Sequence, residues 1–213
     1  DRMPSVRDFR ISGGMGIREL IKQMGSSGGF NAKLLNTGVN ILQRMLSDRK
    51  CLKLLSFPAC LVATGTRGVI RDFVKERFFD VVVTTCGTLD HDLARSYRKY
   101  HHGSFHADDG ELRSRGVSRL GNIFIPETSY GIVIEEKMQQ FLAEVHRKGK
   151  RRFSTYELCW ELGKWMNKRD SILYWCYRNE IPVIVPGITD GAVGYQLWSF
   201  SQDHDFQIDV LKD

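Results

Sequence analysis

The chain has 213 residues, 42% of them apolar and 26% charged, and its formal net charge at pH 7 is +6. This composition is typical of one large globular domain or of a domain with an appendage, and no stretch approaches the ~18 apolar residues of a membrane-spanning helix. Five cysteines, an odd number without paired spacing, predict a reduced, cytoplasmic chain without a disulfide framework.

The first fifty residues are predicted to form a polar arm followed by two helices. The first helix is short, and its apolar side chains recur at helical spacing: Ile17, Leu20, Ile21 and Met24. The second helix spans residues 31–46, and its predicted core-facing side chains are Leu34, Leu35, Val39, Leu42 and Leu46. We therefore assign residues 1–50 to an N-terminal segment and residues 51–213 to a separate α/β domain.

From residue 51 onward, strand patterns alternate with helix patterns. Strands are predicted at residues 53–57, 81–84 and 181–185, and helices at residues 61–76, 89–100, 132–145, 155–166, 172–178 and 192–200. A β-α-β-α order predicts a parallel sheet with helices on its faces. The fold class is therefore α/β, with a Rossmann-like parallel sheet preceded by N-terminal helices.

Two polar segments interrupt this alternation. Residues 101–126 are predicted to form a long irregular loop, which in a compact domain is usually functional or mobile. Its histidines and aspartates lack the spacing of a known ligand set, so we predict no metal site. The basic run at residues 146–152 has no interleaved aromatic residues, which favours a solvated linker over a nucleic-acid surface. The surplus positive charge also suits an acidic protein partner or an anionic cofactor.

Three strand-to-helix turns are expected at one edge of the sheet, at residues 56–60, 84–90 and 187–191. Small residues at such turns leave the backbone N–H groups of a helix N-terminus free to bind a phosphate or a nucleotide. Asp90 and Asp190 follow two of the strands, and a carboxylate there can hold a ribose or a cationic group. The alternative for the second turn is an ordinary connection, in which Thr88 caps the helix and Asp90 favours its dipole.

Longer segments of the chain carry a resemblance to a known family. The matching strings are VVVTTCGTLDHDLAR, GSFHADDGELRSRGVSRLGNIFIP and IPVIVPGITDGAVG, and they occur in family order between Arg7 and Asp213. The chain resembles the deoxyhypusine synthases. The resemblance implies a tetrameric, NAD-dependent transferase that takes the aminobutyl group of spermidine. The acceptor is one lysine of the precursor of the hypusine-containing translation factor, and residues 51–213 would hold part of the NAD-binding domain.

The resemblance also implies site residues. The cofactor-binding positions are Ala59, Cys60, Leu61, Val62, Ala63, Thr85, Cys86, Gly87, His91 and Asp190. The substrate-binding positions are Asp90, His91 and Tyr195. Three places depart from the family pattern, which usually has Thr-Ser/Ala-Asn near residues 58–60 and acids at positions 91 and 195. At those places this chain has Pro58-Ala59-Cys60, His91 and Tyr195.

The family's nucleophilic lysine is expected beyond Asp213. Lys164 has similar neighbours, but the order of the flanking matches places it in an earlier helix. The sequence therefore predicts that a second polypeptide supplies the remaining part, and that this chain alone is inactive and exposes apolar surface. Two alternatives remain open: a catalytically silent homologue that regulates an active partner, and an NAD-binding module of another function.

Overall fold

The computed structural model describes residues 3–213. Contacts divide the chain into two compact units, with the boundary between Lys53 and Leu54. The assignment of residues 1–50 to an N-terminal segment and of residues 51–213 to an NAD-binding domain stays a prediction.

The N-terminal unit consists of two helices, α1 (Ile17–Ser26) and α2 (Phe30–Ser47). They contact each other through Asn36, whose side-chain amide donates a 2.9 Å hydrogen bond to the carbonyl oxygen of Ile21. The expectation that the apolar face of α2 lies in a core is wrong. Leu34 is 67% exposed, and in the described part of the chain neither helix has a buried residue. Two helices alone can bury only the narrow strip along their single contact.

The unit formed by residues 54–213 is built on a three-stranded sheet of β1 (Leu54–Phe57), β2 (Val81–Thr84) and β7 (Val183–Ile184). Its strand order is β1-β2-β7, and both pairings are parallel. In the central strand Val82 is fully buried and pairs with Leu55 and Val183. The predicted α/β class with a parallel sheet is confirmed.

The helices beside this sheet begin at different residues from those predicted. A 3₁₀ turn (Ala59–Leu61) follows β1, and helix α3 (Thr66–Lys75) starts only after it, so a single helix over residues 61–76 is wrong. Helix α4 (Cys86–Tyr97) begins three residues earlier than predicted. The small residues after β2 therefore form the first helical turn instead of a loop.

The segment from residue 101 to 126 is ordered, contrary to the prediction of a long irregular loop. It contains β3 (His101–His102), α5 (Asp109–Ser114), β4 (Val117–Leu120) and β5 (Ile123–Pro126). The three strands form an antiparallel sheet in the order β3-β5-β4. These elements are two to six residues long, too short for hydrophobic periodicity to reveal them.

The remaining helices surround the core. They are α6 (Gly131–Arg147), α7 (Thr155–Met166), α8 (Ile172–Asn179) and α9 (Ala192–Asp203), with β6 (Arg152–Phe153) and β8 (Gln207–Ile208) pairing in parallel. Core side chains that are fully buried include Leu89, Leu93, Phe141, Leu158, Leu162 and Leu173. Helices α7 and α8 approach so closely that a Cβ added at Gly163 would lie 2.2 Å from the carbonyl oxygen of Leu173. Among residues 3–213, no helix is both long and apolar enough to cross a membrane.

Candidate functional site

A cavity of about 430 Å³ lies where the three parallel strands end. It is lined by Ser56, Phe57, Pro58, Val83, Thr84, Thr85, Pro186, Gly187 and Asp190. Three separate strand-to-helix connections therefore meet at one place, as their positions in the sequence predict. In open α/β folds the carboxyl edge of a parallel sheet is the usual place for a ligand, and this cavity falls within the common range of roughly 300–1,000 Å³.

Two of the strand-to-helix turns are in direct contact. The backbone N–H of Ala59 donates a 3.2 Å hydrogen bond to Oγ1 of Thr85. A Cβ added at Gly87 would lie only 2.9 Å from the Cβ of Ala59, so this close approach requires glycine at that position. In the described residues no side chain caps the N-terminus of α4. The backbone amides of its first turn are thus next to the cavity edge without a side-chain partner.

Asp190 is the exposed carboxylate of the cavity. It lies in the turn before α9, and its backbone N–H donates a 3.0 Å hydrogen bond to the carbonyl oxygen of Gly187. Within residues 3–213 no hydrogen bond or ion pair engages its carboxylate. A carboxylate in this state is available to accept hydrogen bonds from hydroxyl groups or to attract a cation.

Asp90, by contrast, is only 1% exposed, and its carboxylate is already engaged. Its oxygens accept hydrogen bonds from the backbone N–H groups of Ala192 (2.9 Å) and Val193 (2.7 Å) and from the hydroxyl of Tyr130 (2.7 Å). Burial raises the pKa of Asp90 above its usual range, while these three hydrogen bonds act against that rise. Asp90 thus caps the N-terminus of α9, a helix that begins about a hundred residues further along the chain.

Asp92 caps the N-terminus of α8 in the same way. Its fully buried carboxylate accepts hydrogen bonds from the backbone N–H groups of Ile172 and Leu173, both 3.0 Å, and from the Ser171 hydroxyl at 2.7 Å. It also pairs with the buried guanidinium of Arg67, whose Nε lies 2.8 Å away. Helix α4 therefore holds two later helices by their N-termini, through two aspartates that are two residues apart.

A third contact from α4 fixes the turn after β1. The guanidinium of Arg95 donates hydrogen bonds to the carbonyl oxygens of Val62, at 2.7 Å, and Thr64. Val62 and Ala63 are buried, with exposures of 0% and 2%, so their side chains face the core instead of the cavity. Any contact of these two residues with a ligand would have to come from their backbone.

His91 is buried between two tyrosines. Its Nδ1 lies 2.9 Å from the Tyr100 hydroxyl, and its ring centroid is 5.4 Å from that of Tyr130. Burial, aided by the neighbouring Arg95 charge, lowers the pKa of His91 to about 4. The imidazole is therefore neutral at physiological pH. It does not supply the negative charge that the resemblance implies at this position.

Cys86 and Tyr195 differ sharply in exposure. Cys86 is fully buried, and burial together with the Asp90 charge raises the pKa of its thiol to about 12, so it is not a thiolate near neutral pH. Tyr195 is 59% exposed in the first turns of α9, with its ring centroid 5.6 Å from that of Trp198, which is 53% exposed. The two rings together form an exposed aromatic pair.

Comparison with known proteins identifies the family. The sequence model of deoxyhypusine synthase matches residues 19–213. A Picrophilus torridus protein named probable deoxyhypusine synthase is 49% identical over 209 residues, which cover 98% of this chain and 67% of that protein. A protein of the same name from Thermoplasma acidophilum is 46% identical over the same shares of the two chains. This chain belongs to the deoxyhypusine synthase family. The members of this family are transferases of hypusine biosynthesis.

A crystal structure of an Entamoeba histolytica protein assigned as a deoxyhypusine synthase supports the fold. It superposes with a TM-score of 0.68 at 18% identity and covers 98% of this chain and 72% of that one. In the two curated relatives, the matched part and the remaining third belong to one protein. The predicted second polypeptide is therefore not supported by these deoxyhypusine synthases.

Among the predicted deoxyhypusine synthase positions, the structure brings together Thr85 and Asp190 at the cavity, with Ala59 and Gly87 packed against its edge. It does not place Val62, Ala63, Cys86, Asp90 or His91 on an open surface. Cys60 and Leu61 are exposed in the 3₁₀ turn. The ligand contacts of all these positions stay predictions. Among residues 3–213, no three His, Cys, Asp or Glu side chains are placed to hold a metal ion.

Sequence reasoning missed the residues that hold helix α4 to its neighbours behind the cavity. These are Arg67, Asp92, Arg95 and Tyr130. The only signal that marks Arg67 and Asp92 as a pair is that both charged side chains are buried. A single sequence does not show burial.

Proposed function

We propose that this protein catalyses the NAD-dependent transfer of the aminobutyl group of spermidine to a lysine of the hypusine-containing translation factor precursor. The match of the deoxyhypusine synthase family over residues 19–213 carries the proposal. The cavity at the carboxyl edge of the parallel sheet supports it, because that edge is where α/β folds of this kind hold a dinucleotide. We further propose a cytoplasmic location and a tetrameric assembly, in the manner of the family.

The residues at the cavity fit NAD. The uncapped first turn of α4 presents backbone amides toward a phosphate, and Gly87 lets the two turns approach each other closely. Thr85 offers a hydroxyl, and Asp190 a free carboxylate for a ribose hydroxyl pair. When bound, NAD would accept a hydride from spermidine and later return it as NADH to the product imine. The backbone of the 3₁₀ turn at Ala59–Leu61, which follows β1, would border the same ligand.

Spermidine is a polycation, so its site requires carboxylates or aromatic faces. The exposed ring of Tyr195, beside Trp198, provides such a face, worth about 0.5–1 kcal/mol for an ammonium group at an exposed site. Of the other two predicted contacts, His91 is buried and neutral, and Asp90 already accepts three hydrogen bonds. We therefore place the polyamine contact of this chain at Tyr195. We expect further contacts from the third of the family sequence that this chain does not match.

We propose that the nucleophilic lysine lies in that same unmatched third of the family sequence. Lys164 is exposed on α7, with its ammonium 5.9 Å from the ring centroid of Tyr177, and does not line the sheet-edge cavity. A catalytically silent homologue is the second candidate function. The specific observation in its favour is the buried neutral imidazole of His91, where the family resemblance implies an acid.

The test is an assay on the full-length protein. Asp190→Ala should weaken NAD binding by about 1.5–3 kcal/mol, the range for a hydrogen bond to a charged group, measured by isothermal titration calorimetry. Asp203→Ala, at the far end of the same helix α9, is the matched control and should leave NAD affinity unchanged. Spermidine-dependent formation of NADH would distinguish the enzyme from a silent homologue. Unchanged affinity in Asp190→Ala would refute the assignment of the cofactor carboxylate.

A further inference from the structure

We propose that Asp90 is a positioning residue, whose buried carboxylate fixes the Asp190 carboxylate at the cavity by holding the N-terminus of α9. This inference rests on the proposed function, in which Asp190 contacts NAD. It assigns to Asp90 a role different from the direct polyamine contact that the family resemblance implies.

The path from Asp90 to Asp190 is short and rigid. The Asp90 oxygens accept hydrogen bonds from the backbone N–H groups of Ala192 and Val193, at 2.9 and 2.7 Å. Asp190 is only two residues before Ala192, and its own N–H closes a turn onto the carbonyl oxygen of Gly187. Because few rotatable bonds separate the held amides from Asp190, the position of α9 determines where the backbone of Asp190 lies, and with it the part of the cavity that its carboxylate can reach.

Close packing leaves this turn no other position. A Cβ added at Gly194 would lie 2.2 Å from the carbonyl oxygen of Ile188, so the turn rests directly on the first turn of α9. A Cβ added at Gly191 would lie 2.8 Å from Oδ2 of Asp90 and 2.9 Å from Sγ of Cys86. Gly191 has φ 174, an extended backbone that any residue adopts, so glycine is needed there for space alone. The space it leaves is the space that the Asp90 carboxylate occupies.

The third partner of Asp90 anchors it from the opposite side. Tyr130, directly before α6, donates its hydroxyl to Oδ2 of Asp90 at 2.7 Å. Asp90 itself follows β2, whereas the turn it holds follows β7, the neighbouring strand. One side chain thus links the two adjacent strand ends that border the cavity. A cap with only a folding role would need no relation to the cavity. The cap formed by Asp92 on α8 is such a case, because α8 follows helix α7 and not one of the strands that border the cavity.

The experiment measures NAD dissociation constants of the full-length protein by titration calorimetry, well below each variant's melting temperature. The variants are Asp90→Asn, Asp190→Asn and the double substitution. The asparagine amide has one oxygen in place of two, so it cannot accept from both α9 amides in the same way. Ser171→Ala, which weakens the cap of α8, is the control for a loss of stability alone.

We expect Asp90→Asn to weaken NAD binding five- to twentyfold, and Ser171→Ala to change it less than twofold. If Asp90 acts through Asp190, the double variant should bind NAD no more than about twofold more weakly than Asp190→Asn. Additive effects, or an unchanged constant in Asp90→Asn, would overturn the inference while leaving the proposed function intact. An unchanged constant in Asp190→Asn would instead overturn the cofactor role of Asp190, and this inference with it. A raised Michaelis constant for spermidine with unchanged NAD affinity would show a direct polyamine contact and also overturn it.

A second variant decides the question if Asp90→Asn does not fold. Ala192→Pro removes one of the two α9 amides that Asp90 holds, at the first position of a helix, where proline is well tolerated. The preceding Gly191 is extended, as the residue before a proline prefers. NAD binding should weaken at least threefold in this variant, and its melting temperature should fall as well, because Oδ2 of Asp90 loses an amide donor and meets the proline ring. Unchanged binding would overturn the positioning role.

Discussion

The neutral, buried imidazole of His91 makes a quantitative prediction about stability and pH. The pKa of His91 falls from 6.5 to about 4 on folding. Each pKa unit corresponds to ~1.4 kcal/mol, so the full effect is about 3 kcal/mol. Below pH 6.5 the unfolded chain takes up a proton that the folded protein does not. The free energy of unfolding must therefore decrease as the pH falls from 6.5 to 4, and it is unaffected by His91 above pH 7.

The perturbation that isolates this contribution is His91→Gln, because glutamine does not titrate. Urea unfolding would be measured for the parent protein and the variant at several pH values between 7.5 and 4. Other titrating groups affect both proteins alike, so the difference between the two unfolding free energies reports His91. We expect this difference to shift by up to about 3 kcal/mol in favour of the variant over that window.

The control is His146→Gln, since His146 is partly exposed on α6, where water can solvate its charged form. Its difference from the parent protein should change less with pH. Parallel stability curves for the parent protein and His91→Gln would refute the reasoning. They would mean that water or a counter-charge reaches the imidazole, and that His91 is accessible to a ligand after all.

Three further outcomes are expected. Gly163→Ala should lower the free energy of unfolding by about 1–3 kcal/mol, because its methyl would meet a backbone oxygen of α8. Gly38→Ala is the control and should not lower it, because there is open space around the added methyl. Equal losses of the two variants in thermal melts would contradict the packing argument. Asp92→Asn should cost about 3–5 kcal/mol in urea unfolding, because it leaves the buried Arg67 guanidinium with only the half-exposed Asp170 carboxylate, 3.5 Å away, as a counter-charge; a loss below 1 kcal/mol would show that water or Asp170 compensates for the lost charge. In native protein at pH 8, iodoacetamide should modify the exposed Cys60 and spare Cys86, as peptide mass spectrometry would show, and rapid modification of Cys86 would disprove its burial.

Local patterns in the sequence were sufficient to predict the three strands of the parallel sheet. The β-branched run Val81–Thr84 predicts a buried parallel strand, and β2 is the central strand of the sheet. The apolar periodicity of α2 also predicts a helix correctly, but it does not say what covers the apolar face, and Leu34 is exposed. Periodicity reports which residues share a face, whereas burial depends on neighbours that are distant in sequence.

The candidate site shows the same division. The meeting of three strand ends follows from topology, so the cavity with Thr85 and Asp190 could be predicted. The use of Asp90 could not. From the sequence it is either a ligand contact or a residue that favours the dipole of its own helix, and the structure shows it capping α9. No local signal connects a carboxylate to amides more than a hundred positions away.

The two capping aspartates of α4 also bear on the order in which the chain folds. Asp90 and Asp92 become buried carboxylates whose partners are the amides at residues 172–173 and 192–193. Before those residues are synthesised, burying α4 would leave the Asp90 carboxylate without any of its three donors and the Asp92 carboxylate with Arg67 alone, at a cost of several kcal/mol. Early collapse of residues 54–97 is therefore penalised, and acquisition of native structure waits for α8 and α9 to emerge from the ribosome. Folding of residues 54–213 should consequently be a single, late and cooperative event, because contacts between residues far apart in sequence must form together.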